Sequence, residues 1–149
     1  MMTPQSEEEL SGMIADATAP LAVQGGGTRG FAGACAVLCS AGLAGVRLYE
    51  PGALTLVAGA GTPVAEIEAA LAEENQRLAF EPMDHRALLG TTGAPTIGGV
   101  MAANVSGPRR IAVGAARDFA LGVRFVDGAG RIVKNGGRVM KNVTGYDLV

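Results

Sequence analysis

A chain of 149 residues is long enough for one domain with its own core, and a hydrophobic content of 48% supplies the material. A formal charge of −2, from 12 basic and 14 acidic side chains, leaves no basic footprint for nucleic acid, and no apolar run approaches the ~20 residues of a membrane span. Aromatics make up only 4% and Trp is absent, so the core is expected to be built from Ala, Val, Leu and Ile.

Met1 to Leu10 is polar and acidic, unlike a secretory signal. Ser6-Glu-Glu-Glu9 reads as a capping box, the hydroxyl and the Glu9 carboxylate satisfying free N–H groups reciprocally. Leu10, Met13, Ile14 and Ala17 then form one apolar helical stripe. Pro20 stops it, and Leu21 to Val23 is a short strand leading into the glycines of 25–30. Ala36 to Cys39 is a second strand, and Ser40 to Gly45 a turn. Val46 to Tyr49 and Leu54 to Ala58 are paired strands around Pro51-Gly52. Thr62-Pro63 reads as a helix start with Thr62 as N-cap; Val64, Ile67 and Leu71 form the buried face, while Glu66, Glu68, Glu73 and Glu74 face water.

Leu78 to Phe80 reads as a short strand, and Glu81 to Pro95 as a long loop of the kind that is usually functional or mobile. His85, the single histidine, is placed as an exposed residue of that loop, with facing a bound group as the other reading. Thr96 is expected to cap a short helix through Ala103. Strands Phe119 to Val126 and Arg131 to Lys134 flank the hairpin signature Asp127-Gly-Ala-Gly130. The chain closes on Gly136 to Val149, apolar at its end where a helix is starting, which reads as a domain cut short at the C-terminus. Cys35 and Cys39, with one histidine elsewhere, do not complete a four-ligand zinc site, so no metal is expected and both are read as small thiols in a reducing compartment.

The 23 glycines fall in short clusters, and two of these stand out: Gln24-Gly-Gly-Gly-Thr-Arg-Gly30 and Thr96-Ile-Gly-Gly-Val-Met-Ala-Ala-Asn104. Glycine lets the backbone turn left-handed and come close to a bound group, and successive free N–H groups form a nest for phosphate oxygens. The Gly98-Gly99 pair sits in the first turn of the expected helix, where an anion would meet free amides and the helix dipole. Together the clusters suggest a diphosphate carrying a large organic body, hence a nucleotide cofactor. The letters of G-x-G-x-x-G occur within Gly25 to Gly30, but Phe31-Ala-Gly33 follows where a Rossmann helix would begin, which speaks against that fold.

Six motifs occur in order. They are P-L-A-V-Q-G-G-G-T-R-G from Pro20, T-L-V-A-G-A-G-T-P from Thr55, a Pro-containing loop with histidine from Pro82, T-I-G-G-V-M-A-A-N-V-S-G-P-R-R from Thr96, G-A-A-R-D-F-A-L-G-V-R from Gly114, and G-G-R-V-M-K-N-V-T-G-Y-D-L from Gly136. In this order they resemble the FAD-binding (PCMH-type) domain of the vanillyl-alcohol oxidase type, within it the FAD-binding subunit of bacterial glycolate oxidase, across essentially the whole chain. The resemblance implies an α+β fold, the N-terminal part of a two-subdomain FAD-binding domain with short strands and flanking helices, occupying 1–149.

It also implies that Gly25, Gly26, Gly27, Thr28, Arg29 and Gly30 wrap the FAD pyrophosphate. Thr96, Ile97, Gly98, Gly99, Asn104, Ser106 and Gly107 would line its other side and approach the flavin. Arg117, Asp118, Gly145 and Tyr146 fall in further motifs of the family; for Arg117 and Asp118 a local surface ion pair is an equal reading. Some members attach FAD through a histidine at the first glycine loop; this loop has Gln24 and Thr28 instead, so non-covalent FAD is expected.

The implied function is oxidation of a 2-hydroxy acid to a 2-oxo acid in a glycolate oxidase complex, with a second flavin subunit and an iron–sulfur subunit as partners. The location would be cytoplasmic, or peripheral at the inner membrane through that complex. No residue is assigned as catalytic, and the chain alone is not expected to be active. Two other readings stay open: a non-catalytic module that dimerises or binds a partner subunit, and a flavoprotein acting on D-lactate, another hydroxy acid or a sugar.

Overall fold

The computed structural model describes residues 1–30 and 35–137. Helix α1 (Glu7–Ala15) begins as expected at Ser6, whose Oγ accepts the Glu9 N–H at 3.1 Å. The reciprocal contact lands one residue early: the Glu9 carboxylate accepts from the Gln5 backbone N–H, at 2.7 Å. Three glutamates in the first turn suit the positive end of the helix dipole. One of them, Glu7, pairs with Arg124 at 2.6 Å, and Ser11 donates to the Gly130 carbonyl, so the helix lies across the hairpin described below.

Strands β1 (Leu21–Gln24) and β2 (Ala36–Cys39) pair in parallel, from Leu21 opposite Ala36 to Gln24 opposite Cys39. Met2 adds backbone bonds on the other side of β2, to Val37 and Cys39. The antiparallel pair β3 (Val46–Glu50) and β4 (Thr55–Ala58) turns through a 3-10 segment, Pro51–Ala53. Leu54, expected in the strand, closes that turn in the left-handed region at φ 51°.

Helix α2 (Val64–Glu73) buries Val64, Ile67 and Leu71 and exposes Glu66, Glu68 and Glu73, as its period required. Its N-cap position is Pro63, not Thr62. Thr62 is turned inward with 0% exposure; its hydroxyl donates to the Gly59 carbonyl at 2.7 Å and accepts the Gly45 N–H at 2.9 Å. A buried hydroxyl needs partners, and the glycine turns beside it supply two.

Leu78 to Phe80 is not a strand. The segment turns, with Glu81 N–H bonded to the Leu78 carbonyl and Glu81 left-handed at φ 48°. A three-residue apolar run finds no ladder partner here and is buried by packing instead. Phe80 joins Val64, Val100 and Ala116 in the core, with Leu78, Ile97, Met101 and Val105 against it. The core therefore has an aromatic residue at its centre, against the compositional expectation. The Phe80 and Phe119 rings lie 5.4 Å apart.

The long loop contains a single helical turn, α3 (Arg86–Leu89), closed by left-handed Gly90. Helix α4 (Ile97–Ala102) ends one residue earlier than expected, and α5 (Arg110–Val113) follows. Residues Ala116–Phe119 form a 3-10 turn because the Asp118 carboxylate holds the Ala115 N–H at 2.7 Å. The expected strand from Phe119 thus shortens to β5 (Gly122–Val126). It pairs with β6 (Ile132–Gly136) around a turn in which Asp127 accepts from the Ala129 and Arg131 amides. The chain is a mixed α+β structure. The reading of residues 138–149 lies outside the described residues.

Thr62→Val keeps the shape but orphans the Gly45 N–H, while the Gly59 carbonyl keeps the Thr62 N–H. The expected loss is about 1–3 kcal/mol in urea unfolding. Thr55→Val, which removes an exposed hydroxyl bonded only to the Ala53 carbonyl, should change stability little.

Candidate functional site

The chain leaves β1 into residues 25–30, where Gly27 and Gly30 adopt φ of 71° and 70°, a conformation only glycine takes at little cost. The loop turns its amides outward. Among the described residues, the N–H groups of Gly26, Gly27, Thr28 and Arg29 meet no acceptor. They line an open cleft shared with Met83, His85, Pro95, Thr96, Gly99 and Val105. The cleft volume of about 80 Å³ lies below the ~300–1,000 Å³ typical of sites that bury a drug-sized ligand.

The opposite wall explains several glycines differently from the sequence reading. A Cβ on Gly26 would overlap the Ala94 carbonyl, and one on Gly25 would overlap the Thr96 hydroxyl. These two glycines admit the neighbouring loop as much as any ligand. Thr91 Oγ1 donates to the Thr28 carbonyl at 2.6 Å, and Arg29 Nη2 donates to the Gly99 carbonyl at 2.9 Å, closing the two loops on each other.

The start of α4 departs from expectation. Ile97 N–H is bonded to the Thr62 carbonyl and Gly98 N–H to the Ala60 carbonyl, both at 2.9 Å. Gly98 lacks a Cβ because Ala60 packs where one would stand, 2.7 Å away. Ile97 and Gly98 therefore offer no amide to an anion. Thr96 and Gly99 remain on the cleft.

Asn104, Ser106, Gly107 and Asp118 do not line the cleft. Asn104 Oδ1 accepts the Arg117 N–H at 3.0 Å, and Ser106 Oγ accepts the Ala116 N–H at 2.9 Å. Gly107 bonds the Phe80 carbonyl at 2.8 Å and has no room for a Cβ beside the Glu81 carbonyl. Asp118 holds the 3-10 turn and faces Arg117 at 3.8 Å, both exposed, which is the local ion pair. These residues build the turn behind α4. Gly145 and Tyr146 lie outside the described residues.

Cys39 is buried, its Sγ 3.6 Å from the Gly25 carbonyl, whereas Cys35 is exposed. His85 is half-buried on the cleft rather than exposed. Met83 and Val105 were not singled out in the sequence, because no local pattern marks a loop residue brought in from a distance. The loop carrying Met83 and His85 is tied at its base: Arg86 grips Asp84 with a 2.6 Å ion pair and also donates to the Gly93 carbonyl at 3.1 Å. Those hydrogen bonds from Arg86 hold the Asp84 carboxyl down at about 2.

A nest of amides without acceptors among the described residues, beside a cation, is chemistry suited to an anion with several oxygens. The FAD binding domain family matches residues 1–136, and the chain belongs to that family. It is 40% identical over 147 residues to glycolate oxidase subunit GlcE of Escherichia coli, covering 95% of this chain and 39% of that protein. It is 34% identical over 153 residues to D-2-hydroxyglutarate dehydrogenase of Xanthomonas citri, covering 97% of this chain and 31% of that protein. The chain thus spans about a third of the length of these curated relatives.

Among solved structures, Phl p 4, a grass pollen allergen with glucose dehydrogenase activity, matches with a TM-score of 0.69 at 20% identity, over 89% of this chain and 28% of that one. A berberine bridge enzyme variant matches at 0.67 and 20% identity, over 89% and 27%. At that identity the structures show the fold: the α+β architecture is the N-terminal part of domains of this type.

Gly26→Ala forces the Ala94 carbonyl away and is expected to cost at least about 2 kcal/mol in chemical denaturation. Gly128→Ala, with open space around it, serves as the control. For Asp84, the folded pKa lies below its ordinary 3.8, so the Arg86 contact stabilises the fold above about pH 4 and is lost as pH falls through about 2. An NMR titration should find the Asp84 midpoint near 2, rising towards 3.8 in Arg86→Ala.

Proposed function

We propose that this chain is the FAD-holding part of a flavoprotein that oxidises a 2-hydroxy acid to a 2-oxo acid as a component of a glycolate oxidase complex. The observation that carries the reading is the run of four amides, Gly26 to Arg29, open on a cleft and without acceptors among the described residues. The identity to a glycolate oxidase subunit supports the substrate class. Relatives named D-2-hydroxyglutarate dehydrogenase and D-lactate dehydrogenase keep other 2-hydroxy acids as alternatives. A second flavin subunit and an iron–sulfur subunit are the proposed partners, and the cytoplasm, or the inner membrane's surface through them, the proposed location. Among the described residues no helix is long and apolar enough to cross a membrane.

In this reading the amides of Gly26, Gly27, Thr28 and Arg29 bind the diphosphate, while Thr96 and Gly99 form the facing wall. Met83 and Val105 give the cleft an apolar border. The bound flavin supplies two-electron acceptance from the hydroxy acid; the protein orients it and excludes water. With Gln24 and Thr28 where a tethering histidine would stand, the flavin is held without a covalent bond.

A second reading rests on exposed apolar side chains, Val23 at 74% and Ile111 at 93%: a module that pairs with a second copy or a partner subunit without catalysis of its own. Absorption spectra of the purified protein, before and after adding FAD and desalting, test the first reading. The expected result is a retained flavin band that denaturation releases as free FAD. A protein that stays colourless after FAD addition would falsify the flavin reading. Flavin that stays with the denatured chain would refute non-covalent binding. Light scattering tests the second reading, which a clean monomer opposes.

A further inference from the structure

Arg29 differs from every other described basic side chain. The other described Arg and Lys residues are exposed, and most of them are paired with a carboxylate. Arg29 is half-buried on the cleft wall, and among the described residues no carboxylate stands within ion-pair distance of it. A charge partly removed from water without a counter-charge is costly. No Asp or Glu lines this cleft either. The amides of Gly26 to Arg29, without acceptors among the described residues, line the same cleft as the guanidinium. Donors and cation thus share one chemical complement, an anion carrying several oxygens.

The guanidinium is also a brace. Its Nη2 donates to the carbonyl of Gly99, on α4 and 70 residues away, at 2.9 Å. A guanidinium has five N–H donors in a planar fork, so one contact leaves four for other acceptors. A lysine ammonium has no such planar fork with which to grip a carbonyl and face phosphate oxygens together.

We infer that Arg29 is the counter-charge for the diphosphate of the bound nucleotide and, through Gly99, the clasp that holds α4 against the glycine loop around it. This inference rests on the flavin reading and deepens it. The amides orient the diphosphate oxygens, and Arg29 supplies the full positive charge that they lack. Charge-assisted bonds are the stronger kind, and in a half-buried site they are less screened than at the surface.

The test uses the full chain and two probes, FAD and inorganic pyrophosphate, titrated against wild type, Arg29→Met, Arg29→Lys and Arg29→Gln at several NaCl concentrations. The wild type should bind both, more weakly as salt rises. Arg29→Met should weaken both by roughly ten- to hundredfold, the worth of a lost charge-assisted hydrogen bond, and flatten the salt dependence. Arg29→Lys should restore the salt dependence and part of the affinity. Arg29→Gln, neutral and polar but shorter than arginine, should bind like Arg29→Met, and it replaces that variant if the latter unfolds.

Unchanged affinity in both neutral variants overturns the inference. Weakened binding with an unchanged salt dependence also overturns it, leaving only a structural clasp. If wild type takes pyrophosphate but no FAD, the flavin reading fails while the assignment of Arg29 is still decided by the pyrophosphate arm. If wild type takes neither, both fall.

Discussion

The cleft exists because the turn at 60–62 is fastened to the start of α4. Gly98 N–H reaches the Ala60 carbonyl, Ile97 N–H reaches the Thr62 carbonyl, and Val64 N–H reaches back to the Pro95 carbonyl at 2.8 Å. These three bonds consume amides that helix starts normally leave unsatisfied. They fix α2 and α4 as one unit, over which Val64, Phe80, Val100 and Ala116 pack. Thr62 extends the fastening to the strands, since its buried hydroxyl holds both Gly45 and Gly59. With α4 fixed, Thr96 and Gly99 become a rigid wall, and the loop at 25–30 has something to close against.

Glycine serves two physical ends in this arrangement. At Gly27 and Gly30 the backbone turns left-handed, which other residues resist. At Gly25, Gly26 and Gly98 the requirement is closeness, because backbone or side-chain atoms of another segment occupy the place of a Cβ. Both uses bring main chain to the cleft surface, and main-chain amides become its chemistry. That suits a family whose reactive group arrives with the cofactor.

The motifs around the cleft divide accordingly. Residues 26–29 present their amides to open space, whereas Asn104, Ser106, Gly107 and Asp118 spend their polar groups on the turn behind α4. A motif carried by a family is therefore no guide to contact with the ligand by itself. Some of its letters line the cleft, and others hold the turn behind it. Arg29 does both, bonding Gly99 across the cleft while lining it.

The sequence by itself determined what depends on neighbours a few residues away. The Ser6 cap, the stripe of Val64, Ile67 and Leu71, the turn at Pro51-Gly52 and the hairpin at Asp127 to Gly130 all follow from periodicity and turn chemistry, and each forms. The glycine clusters were legible too, since few uses other than turns and close approach call for glycine in such short groups. Local reading failed where a distant segment competed. Thr62 left its cap position for Gly45 and Gly59, Leu78 to Phe80 found core in place of a strand partner, and the amides of Ile97 and Gly98 went to Ala60 and Thr62. The placing of His85 and Arg29 on one cleft was likewise a tertiary decision. Contacts between residues far apart in the chain depend on how all the intervening elements pack, and no local pattern encodes that.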